Sequence, residues 1–143
     1  MLRITRSVEY GLIAVDYLAS LDGELVRARD LSERLKLPAG IVAKVLQRLA
    51  AAGIVVSEQG AHGGYRLGRL LDEVSFLELS EAIDGPQHAT PCTDESECDR
   101  RPYCTVAGAV ADLGTQITNL LSGISVGRLL RGESAHHRKG AAV

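Results

Sequence analysis

Apolar side chains recur along the chain at helical spacing, and turn residues cut that pattern into short segments. Val8, Leu12, Val15 and Ala19, joined by Ile13 and Leu18, form one stripe. Thr5 stands before it as an N-cap, and the spacing predicts a helix through about Leu21 that ends at Asp22-Gly23. A short helix is expected around Ala28–Leu35, broken by Leu37-Pro38. The next runs from about Pro38 to Ala52, with Ile41, Val45, Leu46 and Leu49 as its apolar face and Gly53 as its C-cap. Two short strand-like runs follow, Ile54-Val55-Val56 and Tyr65-Arg66-Leu67, around a glycine-rich turn. Helix, tight turn, helix and hairpin in that order predict a winged helix-turn-helix.

Beyond the hairpin, Ser75–Asp84 reads as an amphipathic helix carrying Phe76, Leu79 and Ile83, closed by Gly85-Pro86. A long helix is expected from about Thr105 to Ser122. Its residues Val106, Val110, Leu113, Ile117 and Leu120 step by four, three, four and three, the seam of a coiled coil. A single core-facing helix would show the same stepping, but little other structure remains to cover the seam, so it is read as a dimer interface. A short helix near Ser125–Leu130 precedes a polar tail with His136-His137-Arg138-Lys139, expected to be disordered. The fold class is therefore mainly α with a small β-hairpin wing. The division is residues 1–84 as a winged-helix domain, 85–104 as a cysteine loop, 105–131 as the dimerisation helix and its short successor, and 132–143 as the tail.

Composition changes this picture at one place. The three cysteines, Cys92, Cys98 and Cys104, fall within one loop at C-x5-C-x5-C spacing. An odd number of clustered thiols does not fit a disulfide scaffold, whereas soft thiolates at one point suit zinc or an iron–sulfur cluster. With no Trp and one Phe among 143 residues, the core must be aliphatic. The chain starts with charges where a signal peptide would be apolar, and no run reaches membrane-spanning length, so a cytoplasmic protein is expected. Residues 1–70 hold ten Lys/Arg against seven Asp/Glu, and the remainder six against eleven. A mildly basic front half is compatible with phosphate binding and equally with solvated faces. No phosphate loop, Ser-His-Asp-like grouping or paired-carboxylate pattern is present, so no enzyme is expected.

Four stretches carry a family resemblance: Leu31-Ser-Glu-Arg34 before the turn, Ala52-Gly53-Ile54-Val55 after the recognition helix, Gly63-Gly64-Tyr65-Arg66-Leu67-Gly68 in the wing, and Ile124-Ser125-Val126-Gly127 after the long helix. Together with the thiol loop they resemble the Rrf-type bacterial transcription regulators of the IscR and NsrR kind, over about residues 1–131. The resemblance implies a homodimer whose recognition helices enter successive major grooves of a pseudo-palindromic operator in double-stranded DNA, with the wings along the minor groove. It implies an Fe–S cluster on Cys92, Cys98 and Cys104 in each subunit. It also implies a regulator, expected to repress, that responds to nitric oxide, redox stress or iron and cluster supply.

Two departures from the family pattern matter. IscR-type members place a His three residues after the last Cys, where this chain has Ala107. NsrR-type members use an acidic residue on the first helix of the partner subunit, and the matching position is Glu9. Glu9 is thus the expected fourth ligand, with His88 as competitor and Asp94, Glu95, Glu97 and Asp99 as solvating charges. A carboxylate fourth ligand favours 4Fe–4S over 2Fe–2S. The rival readings are a structural zinc site and a metal-free thiol switch. Phosphate contacts are expected from Arg3, Arg27, Arg29, Lys44 and Arg48. Base-facing positions map to Ala39, Gly40, Ile41, Ala43 and Lys44, and minor-groove readout falls to Gln59 and His62. Gln59 stands where IscR-like relatives carry an Arg, so shape and thymine-methyl contacts should weigh more.

Overall fold

A computed structural model of the chain describes residues 3–86, 88, 90 and 98–132. The first helix, α1, spans Arg6–Ala19, and the Thr5 hydroxyl accepts the Val8 N–H at 3.2 Å. The same hydroxyl donates to Asp84 Oδ2 at 2.7 Å, joining the helix start to the end of a distant element. Val8, Ala14, Val15 and Leu18 are buried. The helix stops two residues short of the expected Leu21. Asp22 and Gly23 both take positive φ, 51° and 90°, and the chain cannot continue helical through them.

Helix α2 covers Ala28–Leu35, as its pattern predicts, and ends at Lys36 in the left-handed conformation, φ 55°. That residue makes the tight turn, with the Leu37 N–H reaching back to Ser32 O at 2.9 Å. Helix α3, Ala39–Ala51, follows with Pro38 as its N-cap residue. Its C-terminus closes in a Schellman arrangement: the Gly53 N–H bonds Ala50 O, and the Ile54 N–H bonds Leu49 O, each at 3.0 Å. Strands β1 (Val55–Glu58) and β2 (Gly64–Leu67) pair antiparallel from Val55 opposite Leu67 to Glu58 opposite Gly64. The strands start one residue later and earlier, respectively, than expected. Ile54 is spent on the helix cap and is buried, and Gly64 pairs because only a bare backbone fits beside Val26.

A single 3-10 turn, Leu71–Glu73, which periodicity does not reveal, leads to α4, Phe76–Asp84, capped by Ser75. After the cysteine region comes α5, Ala107–Gly123, and then α6, Val126–Leu130, with Ser125 as N-cap. The long helix begins two residues later than expected, at Ala107; Val106 is its cap. The expected tail, apart from Gly132, lies outside the described residues, as do Cys92 and its neighbours from 91 to 97.

The core is aliphatic apart from Phe76. It gathers the inward faces of α1, α3 and α4, with Leu31, Ile54, Leu71 and Val126 from the flanks. The chain after α5 is stitched back onto this body. Ser75 and Ser125 form an antiparallel bridge, the Phe76 N–H donates to Ile124 O, and the Val126 N–H donates to Val74 O, both at 2.8 Å. Burying Val126 completely contributes about 1.5–3 kcal/mol. A Cβ on Gly127 would run into Asp72, so glycine lets α6 sit on the 3-10 turn.

Arg131 clamps that junction with two bonds to the Asp72 carboxylate, at 2.6 and 3.1 Å. The hydrogen bond from Arg131, aided by its charge and that of Arg128, holds the Asp72 carboxyl below the usual carboxylate range. Both side chains are half-exposed, so solvent screens the pair and Val126 is the stronger anchor. A depressed carboxylate pKa stabilises the fold above the unfolded value, about pH 4, and that contribution is lost as pH falls through the folded value. D72N should therefore show a small Tm deficit at neutral pH that closes at acidic pH. Thermal melts of both proteins across pH 2–7 check this, and a gap that stays constant would exclude the ionic clamp.

Candidate nucleic-acid interface and cysteine site

Because Val42, Val45, Leu46 and Leu49 point inward, α3 must present the opposite face to solvent. That face holds Ala39, Gly40, Ile41, Lys44, Gln47 and Arg48. Its first turn is stripped of bulk by Ala39 and Gly40, so the backbone itself can approach a ligand closely. No side chain caps this N-terminus, which leaves amide N–H groups and the positive end of the helix dipole directed outward. Ala43, placed by sequence among the base-facing positions, is half-buried, whereas Ile41 and Lys44 are exposed. Lys44 has no hydrogen-bond or ion-pair partner among the described residues. Gln47, absent from the expected set, lies in line with Gly40 and Lys44; its i+7 and i+3 offsets were the available signal.

The remaining expected phosphate contacts are placed less uniformly. Arg3 is exposed ahead of α1. Arg29 pairs with Glu33 at 3.0 Å along its own helix. Arg48 reaches across to the Ile83 carbonyl at 2.5 Å, binding α3 to the end of α4. Arg27 turns onto the wing, donating to the Ala61 carbonyl. These three cations have work inside the fold, which a charge count along the chain does not disclose.

The wing projects beside α2. The Val26 N–H bonds Tyr65 O at 3.0 Å and the Tyr65 N–H bonds Val26 O at 2.7 Å, adding a one-residue third strand at its root. A Cβ on Gly64 would sit 2.6 Å from the Val26 carbonyl carbon, so this pairing requires glycine. At the tip, the Gly63 N–H closes a turn to Gly60 O at 3.1 Å, and Gly60 has φ 114°. Gln59, just before that turn, and His62, within it, are both exposed.

The described cysteines lie at the start of α5. Successive turns, Arg101 N–H to Cys98 O at 3.1 Å and Cys104 N–H to Arg101 O at 3.3 Å, fold residues 98–104 back on themselves. Cys98 and Cys104 thereby line one hollow of about 100 Å³ with Arg101, Ala107, Gly108 and Ala111. Both are free thiols, Cys98 exposed and Cys104 half-buried. Ala107 offers no donor there. Glu9 stands on the first turn of α1, half-exposed and paired with Arg6 at 3.1 Å. His88 is exposed, and Cys92, Asp94, Glu95 and Glu97 lie outside the described residues. Among the described residues no three donors gather as a metal site, so Glu9 and the two thiols do not meet within one subunit.

Beside the thiol hollow, Val106, Leu113 and Leu120 repeat every seven residues and are 55%, 52% and 64% exposed, with Tyr103 at 88%. Gly114 and Leu121 face the body instead. Among the described residues nothing covers this apolar ladder fully, which marks it as a candidate interaction surface. No helix among the described residues is long and apolar enough to cross a membrane.

A helix-turn-helix with a small, uncapped leading turn, followed at once by a wing, defines a winged-helix DNA-binding protein. The family model of Rrf2, described as an iron-dependent transcriptional regulator, matches residues 4–132. The regulator IscR of Photobacterium profundum is 30% identical over 141 residues, 97% of this chain and 81% of that protein. The chain belongs to the Rrf2 family of transcriptional regulators, DNA-binding proteins rather than enzymes. Among solved structures, T. potens IscR covers 99% of this chain and 94% of its own, with 21% identity and a TM-score of 0.63. CymR, the global cysteine regulator of B. subtilis, covers 92% and 98%, with 19% identity and a TM-score of 0.67. Both share the fold.

The exposure of the two thiols sets an order of reactivity. In metal-free, reduced protein, Cys98 should alkylate several-fold faster than Cys104, which the hollow shelters. Site-resolved mass spectrometry after timed iodoacetamide treatment measures this. Equal rates would mean that the turns around Arg101 do not persist in solution.

Proposed function

We propose that this chain is a homodimeric operator-binding repressor whose DNA affinity is set by an Fe–S cluster held on Cys92, Cys98 and Cys104. The carrying observation is the shared hollow: two free thiols converge beside an uncovered apolar ladder at the start of the same helix. The donor chemistry fits, since soft thiolates in a small, partly sheltered space suit iron–sulfur or zinc. With Ala107 in the hollow, the fourth ligand must come from elsewhere. Glu9 of the partner subunit is the proposed donor, which favours 4Fe–4S over 2Fe–2S. When bound, the cluster supplies a centre that nitric oxide, oxidants or iron shortage can alter.

The residues of the chain divide the work. Residues 85–104 hold the centre, residues 105–131 form the dimer seam, and residues 1–84 read DNA. Val106, Leu113 and Leu120 pack against their copies and space the two α3 helices for successive major grooves. Lys44 contacts phosphate or guanine, Arg3 adds a phosphate contact, and Ala39, Gly40 and Ile41 allow close approach with apolar contact to thymine methyls. Gln59 and His62 enter the minor groove. Tying the thiol loop to the seam couples cluster state to helix spacing. A coupling of about 1–3 kcal/mol changes operator occupancy about 5–150-fold.

Anaerobic purification with a visible spectrum and iron, sulfide and zinc analysis tests the cofactor. Broad absorption at about 400 nm with about four iron per subunit is expected. E9A should retain less cluster and lose it faster in air. A colourless protein with one zinc would favour a structural clip, and a metal-free one a thiol switch. K44A should weaken operator binding about 5–30-fold and reduce the salt slope by about one. An unchanged slope in a titration series at several salt concentrations would reject this docking.

A further inference from the structure

Besides the packing of Val55, Tyr65 and Leu67 on the core, two hydrogen-bonded ties join the wing to the segment before α2, one through backbone and one through a side chain. At the root, the Val26–Tyr65 bridge fixes β2 against the segment that precedes α2. At the tip, the Arg27 guanidinium donates to the Ala61 carbonyl, 34 positions along the chain. Arg27 is also the N-cap residue of α2, in extended conformation, so its side chain leaves from the junction that orients the helix-turn-helix. Ala61 and His62 are the central residues of the turn that Gly63 closes onto Gly60. The Ala61 carbonyl belongs to the peptide plane between those two residues. In a glycine-flanked turn that plane is otherwise easy to rotate. A charge-assisted bond to it fixes its orientation, and with it the direction of His62.

We propose that Arg27 is a positioning residue for DNA recognition: it sets the wing tip against α2 and α3, so that Gln59 and His62 meet the minor groove while α3 occupies the major groove. This replaces the phosphate contact that sequence alone suggests for Arg27. A rigid wing matters because a loose one must be ordered on binding, which lowers affinity and blurs discrimination at the bases it reads. The anchoring group is exposed, so its loss should leave the core intact.

The proposal rests on the wing reading the minor groove, and a double-mutant cycle separates the two claims. The probe is a duplex recovered by selection from random-sequence DNA with the parental protein. Affinity is measured at several salt concentrations, and on duplexes altered at the flanking base pairs, for R27A, Q59A/H62A and the triple variant. If Arg27 positions the wing, R27A costs about fivefold, the worth of one such bond, and flattens flank discrimination. It should cost less than about twofold once Gln59 and His62 are gone, with the salt slope unchanged. Additive losses with a slope reduced by about one would make Arg27 a phosphate contact and overturn the proposal. Flank discrimination that survives Q59A/H62A intact would overturn the wing reading itself, and the positioning role with it. Melting temperatures of all variants within a degree or two of the parent are expected from the exposed site. A collapse for R27A would instead assign Arg27 to stability and count against a role in recognition.

Discussion

The reading head depends on how closely α1 can approach α3 and α4 at once. Gly11 is buried on α1, and a Cβ there would collide with the Ile83 side chain and lie 3.5 Å from that of Val45. Absence of a side chain at that point lets three helices share one core, in which Val45, Leu46 and Leu49 are almost wholly buried. The outer face of α3 is free for DNA only because its inner face is committed this firmly. A recognition helix must be presented rigidly, since each loosened degree of freedom is subtracted from binding. Arg48 adds a polar tie to α4 at the far end of α3, and Thr5 ties the start of α1 to Asp84 of α4.

Much of this was legible from residue order because local and tertiary preferences agree. Thr5, Ser75 and Ser125 each start a helix as a capping side chain should. Gly53 ends α3 where its left-handed φ is needed. The boundaries that moved did so where a residue serves two elements. Ile54 reads as strand but closes the helix cap, and Asp22 joins Gly23 in reversing the chain. The 3-10 turn Leu71–Glu73 was invisible because three residues carry no period, and its role emerges only from Gly127 and Arg131, far along the chain.

The candidate interface was harder to read, for an electrostatic reason. A tally of charges treats every Arg in the first seventy residues as available to phosphate, yet Arg27, Arg29, Arg48, Arg66 and Arg69 all find partners within the subunit. Guanidinium groups, with five donors in a planar fork, are good at bridging carbonyls and carboxylates between elements. Lys44 is different, exposed on the outward face of α3 and without a partner among the described residues. Small residues around it, Ala39 and Gly40, are informative for what they omit, which a search for basic clusters overlooks.

The cysteine site and the apolar ladder are best understood together. Among the described residues the two thiols gather no third donor, and Val106, Leu113 and Leu120 are each more than half exposed. They are neighbours, because Cys104 stands two residues before Val106 and the hollow is walled by Ala107, Gly108 and Ala111 of α5 itself. The proposed role of Glu9 requires that a second subunit laid along that ladder bring its own first helix toward the hollow. The other end of α5 is bound to the body by the Ser75–Ser125 bridge and the burial of Val126. A change at the thiol end therefore cannot be absorbed by slack at the far end. In the proposed dimer it would be taken up between subunits, where the spacing of the two recognition helices would be set.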